Sequence, residues 1–296
     1  MEAAQPGDPL ASDAGRRPLP RSSAPRRFAL ILFTKVPLAG FAKTRLGERL
    51  GHGTAAALAA ALTRSCLAQA QAWWERMRRD ESVDAQVWVF YAVPSASWTS
   101  LPEAEVWLDG QVRQPYPDMR VHRQWSPGDV WEADSPPPPD TSPVSLGARL
   151  IHAFQRVARQ QPPPDYLLVM GSDCPALTAA HLHAAVATFF TQSPSPDAVL
   201  GPALDGGYYL LGVRQPHGDA ARWSRTLRAA FGPHQQFSSA DVFTRTLASL
   251  RHADLAVQVL PHVLPDVDEV RDLVHLPRSL LESLEVHSEK GSESDA

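Results

Sequence analysis

Residues 165–178, DYLLVMGSDCPALT, constrain the fold more than any other part of this sequence. Their apolar portion, residues 166–170, is short and uncharged, which is typical of a strand buried on both faces of a parallel sheet. Two small residues then allow the chain to turn, and Thr178 can cap a following helix. Open α/β sheets bind ligands just beyond the carboxyl ends of such strands. We therefore expect Asp173 to lie on a strand-to-helix connection that faces a ligand site.

Strand-like and helix-like patterns alternate along the rest of the chain. This alternation predicts an α/β fold with a mostly parallel sheet and helices on both faces. The predicted strands are residues 28–34, 85–92, 166–170, 197–201, 207–213 and 255–260, with short candidates at 105–108 and 120–124. The predicted helices lie near residues 54–73, 146–157, 178–189, 220–230, 240–250 and 269–276. No internal repeat is present, so we expect one domain.

Changes in composition along the chain predict that this domain spans residues 27–277. Residues 1–26 are rich in Pro, Ser, Ala and Arg and lack the apolar core of a signal peptide, so we expect a disordered tail. Residues 125–143 contain four consecutive prolines and predict an exposed insertion, which could also fold back as a flap. The polar residues 278–296 predict a flexible C-terminal tail.

Charge and cysteine usage exclude several classes of partner. The formal net charge is -4 and the basic residues are scattered, so we expect no nucleic acid. No apolar run approaches the roughly 20 residues that span a bilayer, so we expect no membrane. Cys66 and Cys174, the two cysteines, lack metal-ligand spacing and predict no disulfide framework, which fits a cytoplasmic protein. The oligomeric state is not predicted.

The loop after the first strand concentrates cations. The chain has three lysines among its 28 Lys and Arg residues, and two of them, Lys35 and Lys43, lie in this loop. Ammonium groups suit point-charge contacts with phosphate oxygens, Arg45 adds a bidentate donor, and Gly40 lets the backbone approach a ligand. The loop therefore predicts a phosphate site, with a solvated basic loop as the alternative. It is not a P-loop, because positions 37 and 42 lack the glycines of that motif.

Three aspartates are candidate site residues, each with a second interpretation. Asp173 offers a hard oxygen for Mg²⁺ or Mn²⁺, or it binds backbone amides at a helix entry. Asp205 precedes Gly206 and Gly207, a sequence that predicts either a tight turn or a backbone that a ligand can approach. In the second case Asp205 would accept a proton or a substrate hydroxyl. Asp268 is either a second metal ligand or a helix cap.

Five motifs, taken in order, resemble an uncharacterised family of glycosyltransferase-A-like (GT-A-like) transferases. They are FTKxPxxGxxKTRL at 33–46, LGxR at 146–149, GSDCPAL at 171–177, GPAxDGGYYLLG at 201–212 and PDVD at 265–268. Members of this family are often labelled arsenosugar-biosynthesis glycosyltransferases. The resemblance covers residues 27–275 and implies a single Rossmann-like domain of the nucleotide-diphospho-sugar transferase type, with a metal-dependent nucleotide site.

The resemblance also assigns roles on the donor side of the site. It implies that Lys35, Lys43 and Arg45 form the phosphate loop and that Asp173 is the metal aspartate. Arg149, the last residue of the LGxR motif, is expected to bind the substrate or nucleotide.

On the other side of the site, the resemblance implies that Asp205, Gly206 and Gly207 form an acceptor loop and that Asp268 is the acidic residue that ends the core. The chain departs from the family at Ser145 and Ala148, where acidic residues are usual. These departures concern the acceptor side.

Together these features predict a metal-dependent transferase that uses a nucleotide-activated donor. The favoured reaction is glycosyl transfer from a nucleoside diphosphate sugar to a small-molecule acceptor, with Asp173, Asp205 and Lys43 as catalytic residues. Mg²⁺ or Mn²⁺ would be held by Asp173 and Asp268. A nucleotidyltransferase that releases pyrophosphate, similar to the phospholactate guanylyltransferases, stays open as an alternative. So does a non-catalytic nucleotide-binding protein.

Overall fold

The computed structural model describes residues 25–94, 101–124, 144–233, 235–237, 239–278 and 280. The predicted insertion at 125–143 lies outside the described residues, as does nearly all of both predicted tails. Seven strands are present in the described part of the chain. They are β1 (Arg26–Lys35), β2 (Val83–Ala92), β3 (Arg120–Arg123), β4 (Tyr166–Gly171), β5 (Ala198–Pro202), β6 (Tyr208–Arg214) and β7 (Val257–Val259).

Seven α-helices accompany these strands within the same described ranges. They are α1 (Thr44–Leu50), α2 (His52–Met77), α3 (Leu101–Leu108), α4 (Leu146–Ala158), α5 (Ala179–Thr191), α6 (Ala220–Phe231) and α7 (Val242–His252). A π-helical turn, Asp109–Arg113, continues α3, and a 3₁₀-helix spans Val270–His275. None of the described helices combines the length and apolar character that crossing a bilayer requires.

The strands form one sheet in the order β3-β2-β1-β4-β6-β5-β7. The pairs β1–β2, β1–β4, β2–β3 and β5–β7 are parallel, whereas β6 is antiparallel to both β4 and β5. The predicted α/β class with a mostly parallel sheet is therefore confirmed. The antiparallel strand β6 follows the Asp-Gly turn of the sequence, where a hairpin signal is strongest.

The two faces of the sheet bury separate cores, and strand β1 contributes to both. Leu30 and Leu32 pack in one core with residues of α2 and α5. Ala29 and Ile31 pack in the other with residues of α4 and α6. Side chains alternate across a strand, so an uninterrupted apolar run is the pattern expected when both faces are covered. β1 and β4 therefore lie side by side in the centre of the sheet, and their carboxyl ends share one edge.

One predicted strand is wrong. Residues 105–108 belong to helix α3, although residues 120–123 do form the strand expected beside them. The reason is visible in burial, because Ala104, Leu108 and Val112 are each fully buried and recur every four residues. That spacing places them on one helical face, and this tertiary packing outweighs the strand propensity of the local valine and tryptophan.

The helix after β4 begins as predicted. Thr178 is the N-cap of α5, with its hydroxyl accepting a hydrogen bond from the backbone N–H of His181. The ring of His181 in turn accepts from the backbone N–H of Thr178, which closes a capping box with histidine in the usual place of Glu or Gln. Helix entry is thus satisfied without Asp173.

Candidate active site

A cleft of about 490 Å³ opens at the shared carboxyl edge of β1 and β4. Its walls include the ends of both strands, the start of α1, the connection between β5 and β6, and the segment before the 3₁₀-helix. Eight predicted site residues line it, namely Lys35, Lys43, Arg45, Arg149, Asp173, Asp205, Gly207 and Asp268. Residues from distant parts of the sequence therefore meet at the edge where open α/β sheets bind ligands.

Lys43 is the centre of this cluster. Its side chain is only 6% exposed, and its Nζ donates hydrogen bonds to Oδ1 of Asp268 at 2.7 Å and to the carbonyl oxygen of Val267 at 2.5 Å. The same ammonium forms an ion pair with Oδ1 of Asp173. Lys43 is also the N-cap of α1, with a left-handed φ of 50° that few non-glycine residues adopt. Lys43 therefore serves both as the cation of the site and as the N-cap of α1.

The charges in this cluster depend on one another. Burial by itself would lower the pKa of Lys43, but the adjacent Asp173 and Asp268 carboxylates outweigh burial, and the net effect raises the pKa. Burial would likewise raise the pKa of Asp268, yet the charge and hydrogen bond of Lys43 lower it. Both aspartates remain about half exposed, at 50% and 45% of their side chains. The cluster is therefore a fixed ion network with two carboxylates open to the cleft.

The helix-cap interpretation of Asp268 is wrong. The residue at the N-cap of the 3₁₀-helix is Glu269, and Oδ2 of Asp272 accepts from the backbone N–H groups of Asp268 and Glu269 at 3.0 and 2.7 Å. The carboxylate of Asp268 is engaged by Lys43 instead. The backbone N–H of Val267 also donates to the carbonyl oxygen of Asp173 at 2.9 Å, which fixes this segment against the end of β4.

Arg149 reaches the cleft from the first turn of α4, and Gln124 holds it. One guanidinium nitrogen of Arg149 donates to Oε1 of Gln124 at 2.5 Å. The amide nitrogen of Gln124 donates to the backbone carbonyls of Thr34 at 2.8 Å and Phe90 at 3.3 Å, and this side chain is almost fully buried. Burial lowers the pKa of Arg149, and none of the described residues accepts a hydrogen bond from its buried Nε. Ser145, one of the departures from the family pattern, caps α4.

Lys35 and Arg45 are exposed at the rim of the cleft. The Nζ of Lys35 lies 5.5 Å from the centroid of the Phe41 ring, and a guanidinium nitrogen of Arg45 lies 3.8 Å from Oε1 of Glu269. These contacts are long and solvated, so they hold the two cations weakly. Both side chains can turn towards an anion in the cleft at little cost.

The Asp-Gly-Gly segment forms the tight turn that one interpretation predicted. Oδ1 of Asp205 accepts from the backbone N–H of Gly207 at 2.7 Å, and both residues line the cleft, so the turn and the ligand interpretations are compatible. Asp266 lines the cleft as well and was not among the predicted site residues. Burial, followed by the nearby charge of Asp205, raises the pKa of Asp266 to about 6.

Two predicted binding glycines do not line the cleft. Gly206 has a φ of +88°, and a Cβ there would lie 1.8 Å from the carbonyl oxygen of Ala240. Its own carbonyl accepts from the backbone N–H of Phe243 at 2.8 Å. Gly206 is thus explained by close packing against the segment before α7. Gly40 also has a positive φ, of +75°, but nothing lies near its missing Cβ. A ligand contact at either glycine stays a prediction.

Metal-ligating groups are limited in this cleft. The described residues contain no cluster of three or more His, Cys, Asp or Glu side chains with metal-binding geometry. Cys66 and Cys174 are both buried and unpaired, as expected, and burial raises the pKa of the Cys174 thiol to about 12. The carboxylates that line the cleft belong to Asp173, Asp205, Asp266 and Asp268, and oxygen ligands of this kind suit Mg²⁺ or Mn²⁺.

Comparison with known proteins supports the fold. Residues 100–225 match the family DUF2064, described as an uncharacterised protein conserved in bacteria. No curated protein matches this chain. A crystal structure of a candidate nucleotide-diphospho-sugar transferase from Desulfovibrio desulfuricans G20 is 28% identical, with a TM-score of 0.57, and the match covers 83% of this chain and 84% of that one. The resemblance to GT-A-like transferases is thereby confirmed.

Two further solved structures are less similar. A cytidylyltransferase from Leptospira borgpetersenii serovar Hardjo-bovis is 11% identical over 90% of this chain and 96% of its own, with a TM-score of 0.45. Rv0371C from Mycobacterium tuberculosis H37Rv, solved in complex with manganese, is 18% identical over 88% of this chain and 100% of its own, with a TM-score of 0.39. At such low TM-scores these two matches carry no functional argument.

Proposed function

Starting from a fold shared with a nucleotide-diphospho-sugar transferase, we propose that this chain is a metal-dependent transferase with a nucleotide-activated donor. It transfers a glycosyl group from a nucleoside diphosphate sugar to a small acceptor. The observation that carries this proposal is the ion network of Lys43, Asp173 and Asp268 at the carboxyl edge of the sheet. A buried cation flanked by two half-exposed carboxylates suits a site that handles phosphate charge.

The donor diphosphate would lie among the cations of the cleft. Lys35 and Arg45 are exposed on one wall, and Arg149 is held by Gln124 on another. Arg149, already held in place, and Lys35 and Arg45, which can turn towards an anion, would stabilise the negative charge that builds as a nucleoside diphosphate departs. The cleft volume of about 490 Å³ is within the usual range for small-molecule sites. The cleft thus supplies both space and charge for the donor.

Asp173 and Asp268 would hold Mg²⁺ or Mn²⁺. Lys43 engages Oδ1 of each aspartate, which leaves the second oxygen of each half-exposed carboxylate for a cation. Mg²⁺ is commonly held by one or two carboxylates and completes its shell with water and substrate phosphates. Such an ion would supply Lewis-acid stabilisation of the leaving diphosphate. In this arrangement Lys43 holds the two carboxylates close together.

The acceptor would approach from the Asp-Gly-Gly turn. The carboxylate of Asp205 is exposed on the cleft, oriented by the backbone N–H of Gly207. It is placed to accept a hydrogen bond, and then the proton, from an attacking hydroxyl. The cytoplasmic location expected from cysteine usage is part of the same proposal.

A product assay on the full chain tests the proposal. The chain is incubated with a panel of nucleoside diphosphate sugars and nucleoside triphosphates in Mg²⁺, Mn²⁺ or EDTA, with candidate acceptors. Metal-dependent release of a nucleoside diphosphate from one sugar nucleotide supports glycosyl transfer. Release of pyrophosphate from a triphosphate would overturn it in favour of nucleotidyl transfer. Tight nucleotide binding without turnover across the panel would favour a binding protein.

A further inference from the structure

A second pocket, of about 550 Å³, lies on the face of the sheet that α4 covers, beside the edge strand β3. The ionisable groups that line it are three arginines and two histidines, and no carboxylate of the described residues is among them. They are Arg120, His122, His152, Arg156 and Arg159. In a chain with a formal net charge of -4, this concentration of one sign is unusual.

Two of these arginines keep their charge uncompensated. Within the described ranges, no carboxylate forms an ion pair with Arg120 or Arg156, and both residues are exposed. The guanidinium of Arg120 donates to Oε1 of Gln160 at 2.7 Å and lies 4.8 Å from the centroid of the Trp88 ring. These neutral contacts position the guanidinium without neutralising it. Both arginines can therefore pair with an anion.

Trp88 is the buried aromatic side chain of this pocket. It lines the same pocket and is only 2% exposed, yet its indole Nε1 is buried and no described residue accepts its hydrogen bond. Its ring stacks against that of His122 with centroids 5.2 Å apart. Because this nitrogen has almost no accessible surface, the Trp88 ring bounds the pocket and supports Arg120 and His122, and its N–H does not donate into the pocket.

We propose that this pocket binds a small phosphate-class oxyanion, inorganic phosphate or pyrophosphate, through Arg120 and Arg156. The site is separate from the cleft, because Arg156 lies two helical turns beyond Arg149 on α4, about 10 Å along the helix axis. It does not depend on the proposed transferase reaction. It adds an anion site that shares no lining residue with the cleft.

His122 offers a readout of occupancy that does not involve activity. Burial, followed by the charges of Arg156 and Arg120, lowers its pKa to about 4, so the imidazole is neutral near pH 7. The groups that face it are Arg120 from β3 and His152, Arg156 and Arg159 from α4. An anion bound among these groups would offset their charge and raise the pKa of His122.

The test is NMR of histidine side chains in the full chain, isotopically labelled at histidine and titrated with inorganic phosphate or pyrophosphate in EDTA. The His122→Asn variant assigns the signal. The expected result is a saturable change in the His122 signal and an upward shift of its midpoint with pH. Arg156→Gln should weaken binding at this signal about tenfold or more, because a charge-assisted hydrogen bond is lost. Arg225→Gln, an exposed arginine on α6, is the matched control and should leave binding unchanged.

Three results would overturn the proposal. One is a His122 signal that does not respond to either anion. Another is equal weakening by Arg156→Gln and Arg225→Gln, which would indicate unspecific attraction. The third is loss of the response in Arg149→Gln, which would assign the anion to the cleft. If Arg156→Gln does not fold, Arg120→Gln serves in its place, with the same expected loss.

Discussion

The Nζ of Lys43 lies 2.7 Å from Oδ1 of Asp268, although 225 residues separate the two in the sequence. The same ammonium contacts Asp173 at the end of β4. One buried charge therefore joins the loop after the first strand, the centre of the sheet and the segment before the last helix. The candidate site and the packing of these three segments depend on each other.

Removal of the Lys43 ammonium should destabilise the fold. Lys43→Met leaves two carboxylates close together without a cation, and loss of one partner from a buried pair costs up to about 3–5 kcal/mol. Because both aspartates are half exposed, we expect about 2 kcal/mol in urea unfolding at pH 7. Lys35→Met, at an exposed position in the same loop, should change the free energy of unfolding by less than about 0.5 kcal/mol. Equal effects of the two variants would contradict the ion network.

Asp173→Asn should remove metal-dependent nucleotide binding and keep the fold. The substitution preserves shape, and Lys43 retains Asp268 as a partner. In a thermal-shift assay, a ligand at one hundred times its Kd adds about 2.7 kcal/mol of stability, and this increment should vanish in the variant. The control is Asp118→Asn, an exposed aspartate outside the cleft, which should keep the increment. An unchanged metal-dependent shift in Asp173→Asn would remove this residue from the site.

Gln124→Met should weaken donor binding through Arg149. The methionine keeps the volume but loses the acceptor for the guanidinium and both bonds to strand carbonyls. We expect nucleotide affinity to fall about tenfold, the equivalent of about 1.4 kcal/mol, as measured by calorimetric titration. In the Arg149→Gln background the same change should have little further effect, because the two residues act as a unit. If the losses of nucleotide affinity in the two variants add up, Gln124 acts independently of Arg149.

Gly206 and Gly40 form a matched pair that separates packing from backbone strain. Both have a positive φ, but only at Gly206 would an added methyl group collide, with the carbonyl oxygen of Ala240. Gly40→Ala should cost about 1 kcal/mol from the left-handed backbone alone. Gly206→Ala should cost about 2–3 kcal/mol more, because the segment before α7 must move. Chemical denaturation measures the loss of stability in each variant. Similar losses would mean that the segment before α7 moves at little cost.

His122 should make stability depend on pH in an identifiable window. Its folded-state pKa of about 4 lies below the unfolded value of 6.5, so between these values only the unfolded state takes up the proton. The contribution of the neutral His122 side chain to stability is therefore fully present above pH 6.5 and is lost as the pH falls to about 4. Since the imidazole is half exposed, we expect wild type to lose about 1–2 kcal/mol more than His122→Asn across this window. Parallel profiles for the two proteins would contradict the lowered pKa.

Local sequence patterns were sufficient to predict the helices and strands that surround the site. The apolar runs of β1 and β4 predicted strands buried on both faces, and the carboxyl ends of such strands form the edge where open α/β sheets bind ligands. Thr178 was recognisable as a cap because the chemistry of a cap is local. The strand prediction for residues 105–108 failed for the opposite reason. Its helix is decided by which side chains reach the core, and Val106 and Trp107 alone resemble a strand.

The interior of the site could not be derived from sequence. Nothing near Asp268 indicates that its partner is Lys43 rather than the backbone of the next helix turn, because that choice depends on how two remote segments pack. Gln124 gave no signal, since a glutamine that ends a short edge strand is usually solvated. The raised pKa of Asp266 could not be predicted from the sequence, because it arises from burial and from Asp205, which only the fold brings near.

The contact between Lys43 and Asp268 also sets an order of events during synthesis. Ribosomes add about 5–20 residues per second, so about 11–45 s separate the appearance of these two residues on the nascent chain. Throughout that interval Asp268, the partner of Lys43, has not been synthesised. The same is true of Val267, which is fully buried in the finished protein. The candidate site is therefore completed only after nearly the whole domain has been translated, and a chain interrupted before residue 268 would contain all seven described strands but only part of that site.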